Sequence, residues 1–95
     1  MKLVYKAVAI NDIKNVVDYI EDELKNPIAA SNLKESIAKG ISRLKSNPKL
    51  GKVLKNSNYR YIIINNILVF YEIDNDIIYI TRVLDGRTDY LQLLF

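Results

Sequence analysis

Ninety-five residues, 49% of them hydrophobic, suffice for one compact domain and no more. The chain contains no cysteine and no histidine, which excludes disulfide and thiolate chemistry and removes the commonest general base and zinc ligand together. A net charge of +3 is a mild basic bias, and its natural partners are nucleic acid or an acidic protein.

Residues 2–8 alternate polar and apolar and read as a short strand. Asn11 or Asp12 can then cap a helix, with Ile13, Val16, Val17, Ile20 and Leu24 on its apolar face. Asn26-Pro27 ends that helix, because the residue before a proline avoids helical geometry. A second helix carries Ala30, Leu33, Ile37, Ile41 and Leu44 at helical spacing, making an antiparallel helical hairpin with the first. Asn47-Pro48 and Gly51 close it. Residues 59–65, 67–73 and 77–83 are rich in β-branched and aromatic residues. Asn65-Asn66 and Asp74-Asn75-Asp76 supply the turns of an antiparallel meander. The expected fold is therefore α+β, in the order β-α-α-β-β-β, a helical hairpin packed on a small twisted antiparallel sheet that the first strand joins. One domain over 1–95 is expected, since no repeat, linker or low-complexity tract divides the chain.

Charge is unevenly spread. From Arg43 to Arg60 there are six basic residues and no acid, whereas Asp18, Glu21, Asp22 and Glu23 cluster in the first helical region. No stretch approaches the roughly 20 apolar residues of a membrane span, and the N-terminus lacks a signal-peptide cleavage pattern. A cytoplasmic location without membrane contact is expected, with neither metal nor cofactor.

Five local patterns, in this order and spacing, resemble the RelE/ParE toxin superfamily over nearly the whole length. They are A-I-N-D-I-K-N-V-V-D-Y-I at 9–20, N-P-I-A-A-S-N-L at 26–33 and L-K-S-N-P-K-L-G at 44–51. Y-R-Y-I-I-I-N-N-I-L-V-F-Y-E-I at 59–73 and I-T-R-V-L-D-G-R-T-D-Y at 80–90 complete the set. The resemblance implies the toxin of a bacterial type II toxin–antitoxin pair, of the plasmid-stabilisation kind, with a cognate antitoxin as partner. It implies one of two activities. RelE-type members are ribosome-dependent, metal-independent endoribonucleases that cut mRNA, and ParE-type members block DNA gyrase without chemistry of their own. The nuclease is the leading expectation here. A gyrase inhibitor, or a degenerate toxin that only binds its antitoxin, are the alternatives. A generic basic RNA-binding domain has no RNP-type or glycine-rich loop to support it.

Cleavage by attack of the ribose 2′-OH needs a base, positive charge over the phosphoryl oxygens and an acid for the leaving oxygen. Without histidine, lysine, arginine, tyrosine or a carboxylate must do this work. Carried over by resemblance, Arg60 matches the arginine that opens the family's hairpin, and its planar fork suits phosphate. An internal partner for it would be Glu72, across the sheet. Arg87 and Tyr90 match the arginine and tyrosine of the nuclease tail, although Tyr90 could equally be a core aromatic beside Leu91, Leu93 and Leu94. Lys52 and Lys55 match a lysine pair before the hairpin, or form a solvated basic edge. Arg82 on the last strand is a further phosphate candidate if it shares the face of Ile78 and Ile80. Asp85 stands where many relatives carry histidine. Of the seven tyrosines, Tyr5, Tyr71 and Tyr79 read as core. The apolar C-terminal tail and the basic groove are the expected seat of an antitoxin segment that folds on binding.

Overall fold

In the computed structural model, which describes residues 1–87 and 89–94, a short strand β1 (Lys2–Tyr5) leads directly into α1 (Ala7–Asp18). One π-helical turn, Tyr19–Glu23, widens the end of α1. The second helix, α2 (Pro27–Ser42), continues into a 3-10 turn at Arg43–Lys45. Four strands follow: β2 (Lys52–Val53), β3 (Arg60–Ile64), β4 (Ile67–Asp74) and β5 (Ile77–Asp85). A short helix α3 (Tyr90–Leu94) closes the described chain. The strands form one sheet in the order β1-β5-β4-β3-β2, parallel at β1–β5 and antiparallel elsewhere. The expected layer pair is present, extended by the edge strand β2 and by α3.

Local chemistry explains most boundaries. Asn26 caps α2 by accepting from the Ala29 amide at 3.1 Å, and Pro27 occupies the first turn, where its missing N–H is harmless. Asn65 and Asn66 have φ of 47° and 68°, and Asn75 and Asp76 have 49° and 63°. Both pairs provide the left-handed geometry that two-residue hairpins require. The start of α1 differs from expectation. It is Lys6, without a side-chain cap, that precedes the first turn, and Asp12 lies inside the helix. The first strand correspondingly stops at Tyr5 rather than residue 8.

The sheet has two unequal faces. Ile67, Val69 and Tyr71 of β4 and Ile78, Ile80 and Val83 of β5 pack beneath Leu33, Ile37, Ile41 and Leu44, forming the main core. Leu68, Phe70 and Leu84 face the other way and, among the described residues, pack against the partly buried Leu54, Tyr61, Tyr90 and Leu94. A bulge between Phe70 and Tyr71 shifts the β4–β5 register, so Ile80 and Val83, three positions apart, both serve the helix side. Gly40 permits the close approach of α2 to β3, because a Cβ there would collide with the Ile64 side chain.

Candidate functional site

The bulge decides the fate of Arg82. It pairs with Phe70, off the face of Ile78 and Ile80, and its guanidinium reaches α1. Nε donates to Asp12 Oδ2 at 2.7 Å and Nη2 to Oδ1 at 3.0 Å, a two-pronged ion pair. The same carboxylate accepts the Val83 amide at 3.0 Å, beyond the point where β1 stops covering β5. Asp12 thus satisfies an open strand edge and an arginine together. Hydrogen bonding to Asp12 holds the Arg82 guanidinium even more firmly in its charged form.

Arg60 opens β3 on the helix side of the sheet, opposite Tyr71. Its Nη1 donates to the Gly51 carbonyl at 2.9 Å. Tyr71, fully buried, donates from its hydroxyl to the Pro48 carbonyl at 2.8 Å and accepts the Gly51 amide at 2.8 Å. Arg60 and Tyr71 together hold residues 48–51 against the end of the core. Burial raises the Tyr71 phenol, opposed by the Gly51 amide and the Arg60 charge. Glu72 lies beside Tyr59, where burial first and the carboxylate second raise the phenol; it is not ion-paired with Arg60 among the described residues.

Arg87 and Tyr90 lie elsewhere. The Gly86 amide donates to the Asn66 carbonyl at 2.8 Å, setting the turn after β5 against the β3–β4 hairpin tip. Arg87, with its side chain 92% exposed, pairs with Asp85 at 3.1 Å, and its amide donates to the same carboxylate at 2.8 Å. These two bonds hold the Asp85 carboxyl below its ordinary range. The Tyr90 ring packs on Phe70, with centroids 5.4 Å apart, on the face of the sheet away from the helices. Arg87, Tyr90, Tyr61 and Tyr19 border a cleft of about 790 Å³ at this end of the molecule. Lys52 stands on the edge strand opposite Tyr61 and, with Arg43, borders a second cleft of about 290 Å³; Lys55 is exposed in the turn beyond.

The six candidates therefore fall into separate places. Arg87 and Tyr90 share a cleft. Arg60 lies on the helix side of β3, opposite Tyr71, whereas Tyr90 packs on Phe70 on the other face of the sheet. Arg82 is occupied by α1. Sequence reasoning missed Asp12 and the Tyr71 hydroxyl, whose partners lie 70 and 20 or more positions away and leave no local signal. It also missed Ile63, 63% exposed, although three consecutive isoleucines already imply that one of them leaves the core. Of the expected core tyrosines Tyr71 is buried, whereas Tyr5 is 36% exposed. Phe95 of the apolar tail lies outside the described residues; Leu91 and Leu93 are about half exposed. Among the described residues no group of acids could hold a metal ion, and no helix is long and apolar enough to cross a membrane.

A family model described as the ParE toxin of the type II toxin–antitoxin system parDE matches residues 3–90. Among solved structures, the chromosomal ParDE toxin–antitoxin system from P. aeruginosa is similar at a TM-score of 0.79 and 18% identity, covering 90% of this chain and 95% of that one. The RelB–RelE antitoxin–toxin complex from Methanococcus jannaschii is similar at a TM-score of 0.58 and 23% identity, covering 94% and 96%. At these identities the two structures show a shared fold. No curated protein matches the sequence.

Proposed function

This chain belongs to the ParE toxin family of type II toxin–antitoxin systems, and from that premise we propose that it poisons its target by binding, as a gyrase inhibitor without chemistry of its own. One observation carries the reading. Two of the arginines a nuclease would use, Arg60 and Arg82, are held by Gly51 and Asp12 and do not converge on the cleft of Arg87 and Tyr90. For protein contact the helical hairpin offers Tyr19, Leu24 and Ile28, all more than half exposed around its tip.

The proximity of Arg87 and Tyr90 in one cleft favours a second reading, a ribosome-dependent mRNA endonuclease. A paired assay separates the two. Purified chain is added to DNA gyrase with relaxed plasmid, and to a reconstituted translation reaction with end-labelled message. The expected result is loss of supercoiling with intact message. Cleavage inside translated codons, with supercoiling unaffected, overturns the proposal in favour of the nuclease. Inactivity in both assays overturns it in favour of a degenerate toxin.

A further inference from the structure

Charge divides the two ends of α2. From Ser36 to Tyr71 the chain has no Asp or Glu. Within that stretch Lys39 pairs with Glu35, and Arg60 is held by the Gly51 carbonyl. Arg43, Lys45, Lys49, Lys52 and Lys55 remain, all exposed and without an ion-pair partner among the described residues. The acids Glu21, Asp22 and Glu23 lie before α2 begins, and its 16 residues at 1.5 Å each set Arg43 about 24 Å from that tip. Glu72, half-buried, lies beside the Tyr59 hydroxyl. The molecule is therefore acidic where α2 starts and basic where it ends.

The five cations stand on a pinned frame. The Asn47 amide donates to the Arg43 carbonyl at 3.1 Å and the Leu50 amide to the Asn47 carbonyl at 3.1 Å, so residues 43–50 form two successive turns. Tyr71 and Arg60 then clamp Pro48 and Gly51 from below. A Cβ at Gly51 would stand 2.6 Å from the Tyr71 hydroxyl oxygen, so the clamp depends on glycine. Lys52 is fixed on β2 opposite Tyr61, and it shares a cleft with Arg43. Lys55 sits in a turn closed by the Ser57 amide and hydroxyl, which donate to the Leu54 carbonyl at 3.2 and 2.8 Å. Like charges fixed this way repel one another in the free protein, and a polyanion laid over them removes that repulsion.

We propose that this basic end, from Arg43 to Lys55, binds the phosphate backbone of duplex DNA without regard to sequence. Four of the five cations are lysines, a residue depleted at protein–protein interfaces, whereas protein–DNA interfaces are strongly positive. A single strand would need aromatic rings on which its bases could stack. The tyrosines nearest in the chain do not offer them: Tyr59 and Tyr61 are half-buried, and the Tyr61 ring packs on Phe70 with centroids 6.0 Å apart. A duplex asks only for charge, because its phosphates carry no sequence information and recur about every 1.7 Å of helix axis. The same repulsion disfavours a second copy of this chain at this face. The binding stands on these charges alone. Its use, to seat the toxin beside a gyrase that is itself on DNA, rests on the gyrase reading.

The test is fluorescence anisotropy of the full chain with two labelled DNA duplexes of unrelated sequence and one single-stranded RNA of equal length, over a salt series. Both duplexes should bind equally. If all five cations meet phosphates, the logarithm of affinity should fall against the logarithm of salt with a slope of about −4.5. Lys45→Ala with Lys49→Ala should flatten that slope by about 2, at about one per cation, and weaken binding at least tenfold at low salt, with melting at the wild-type temperature. Lys34→Ala, exposed on α2 outside the segment, carries the control for net charge and should leave slope and affinity unchanged. No duplex binding at about 50 mM salt would overturn the proposal. So would a slope that the double variant leaves intact, or an equal loss in Lys34→Ala. Tighter binding of the RNA would assign the face to a single strand instead. No gyrase is present in this assay, so its failure is distinct from failure of the gyrase reading. Supercoiling inhibited without DNA binding contradicts this proposal alone, and DNA binding with supercoiling unaffected contradicts the gyrase reading alone.

Discussion

Arg82 and Arg87 each grip an aspartate with two prongs, yet the two pairs do different work. Arg82 reaches Asp12 from 70 positions away, with side chains 21% and 9% exposed, and ties α1 to β5. Arg87 reaches Asp85 from two positions away, is 92% exposed and shapes one turn. Water screens the second pair, whereas the first is shielded and must be complete, because either partner alone would be a charge in a poor environment. Arginines that look alike as phosphate ligands in the sequence are thus an architectural tie and a surface group in the fold.

Breaking the comparison at its stronger side should have the largest effect. Asp12→Ala strands the Arg82 charge and the Val83 amide. Removing one partner of a buried pair costs about 3–5 kcal/mol, and the residual exposure of Arg82 places this case near about 3 kcal/mol. At roughly 4–8 °C per kcal/mol for a domain of this size, melting should fall by more than about 10 °C in a calorimetric scan.

Tyr71→Phe comes next. It leaves the buried Gly51 amide without a partner, at about 1–3 kcal/mol by urea denaturation. The hydroxyl also titrates. A phenol raised by burial contributes stability that is complete below its ordinary value of 10.0 and is lost as pH climbs through the folded value. Wild type should therefore weaken in alkali above that range, and Tyr71→Phe should show a smaller alkaline loss.

Arg87→Ala sits at the weak end. Its melting temperature should match wild type. The same substitution should let the Asp85 carboxyl return toward 3.8, read by carbon-detected NMR titration. In the wild type, the lowered carboxyl adds its stability above the ordinary carboxylate range and loses it only as pH falls through the folded value. A large melting shift for Arg87→Ala, or none for Asp12→Ala, would erase the distinction between the two pairs.

The legible parts of the fold were those written in local pattern. Helical spacing placed Leu33, Ile37, Ile41 and Leu44 in the core, Asn26-Pro27 marked the start of α2, and Asn65-Asn66 marked the hairpin. What escaped depended on distance or on register. Asp12 looked like a cap because its type and position suit one; a partner on β5 claimed it instead. One bulge at Phe70 and Tyr71 reversed the face expected for Arg82, and no residue in the strand announces that shift. The two-residue β2 is too short to leave a periodic signal. For the site, the sequence supplied candidates by resemblance, whereas the fold determines which of them are neighbours.

The central claim is that this toxin acts by contact rather than by chemistry, and Tyr90→Phe tests it most directly. The Tyr90 ring is packed on Phe70, and its hydroxyl makes no hydrogen bond among the described residues. The substitution therefore spares the fold and removes only the group a nuclease would use. Growth arrest after induction of Tyr90→Phe without antitoxin should match wild type at equal protein level. Loss of arrest by a variant that melts at the wild-type temperature would contradict the account and return Tyr90 to the chemistry of RNA cleavage.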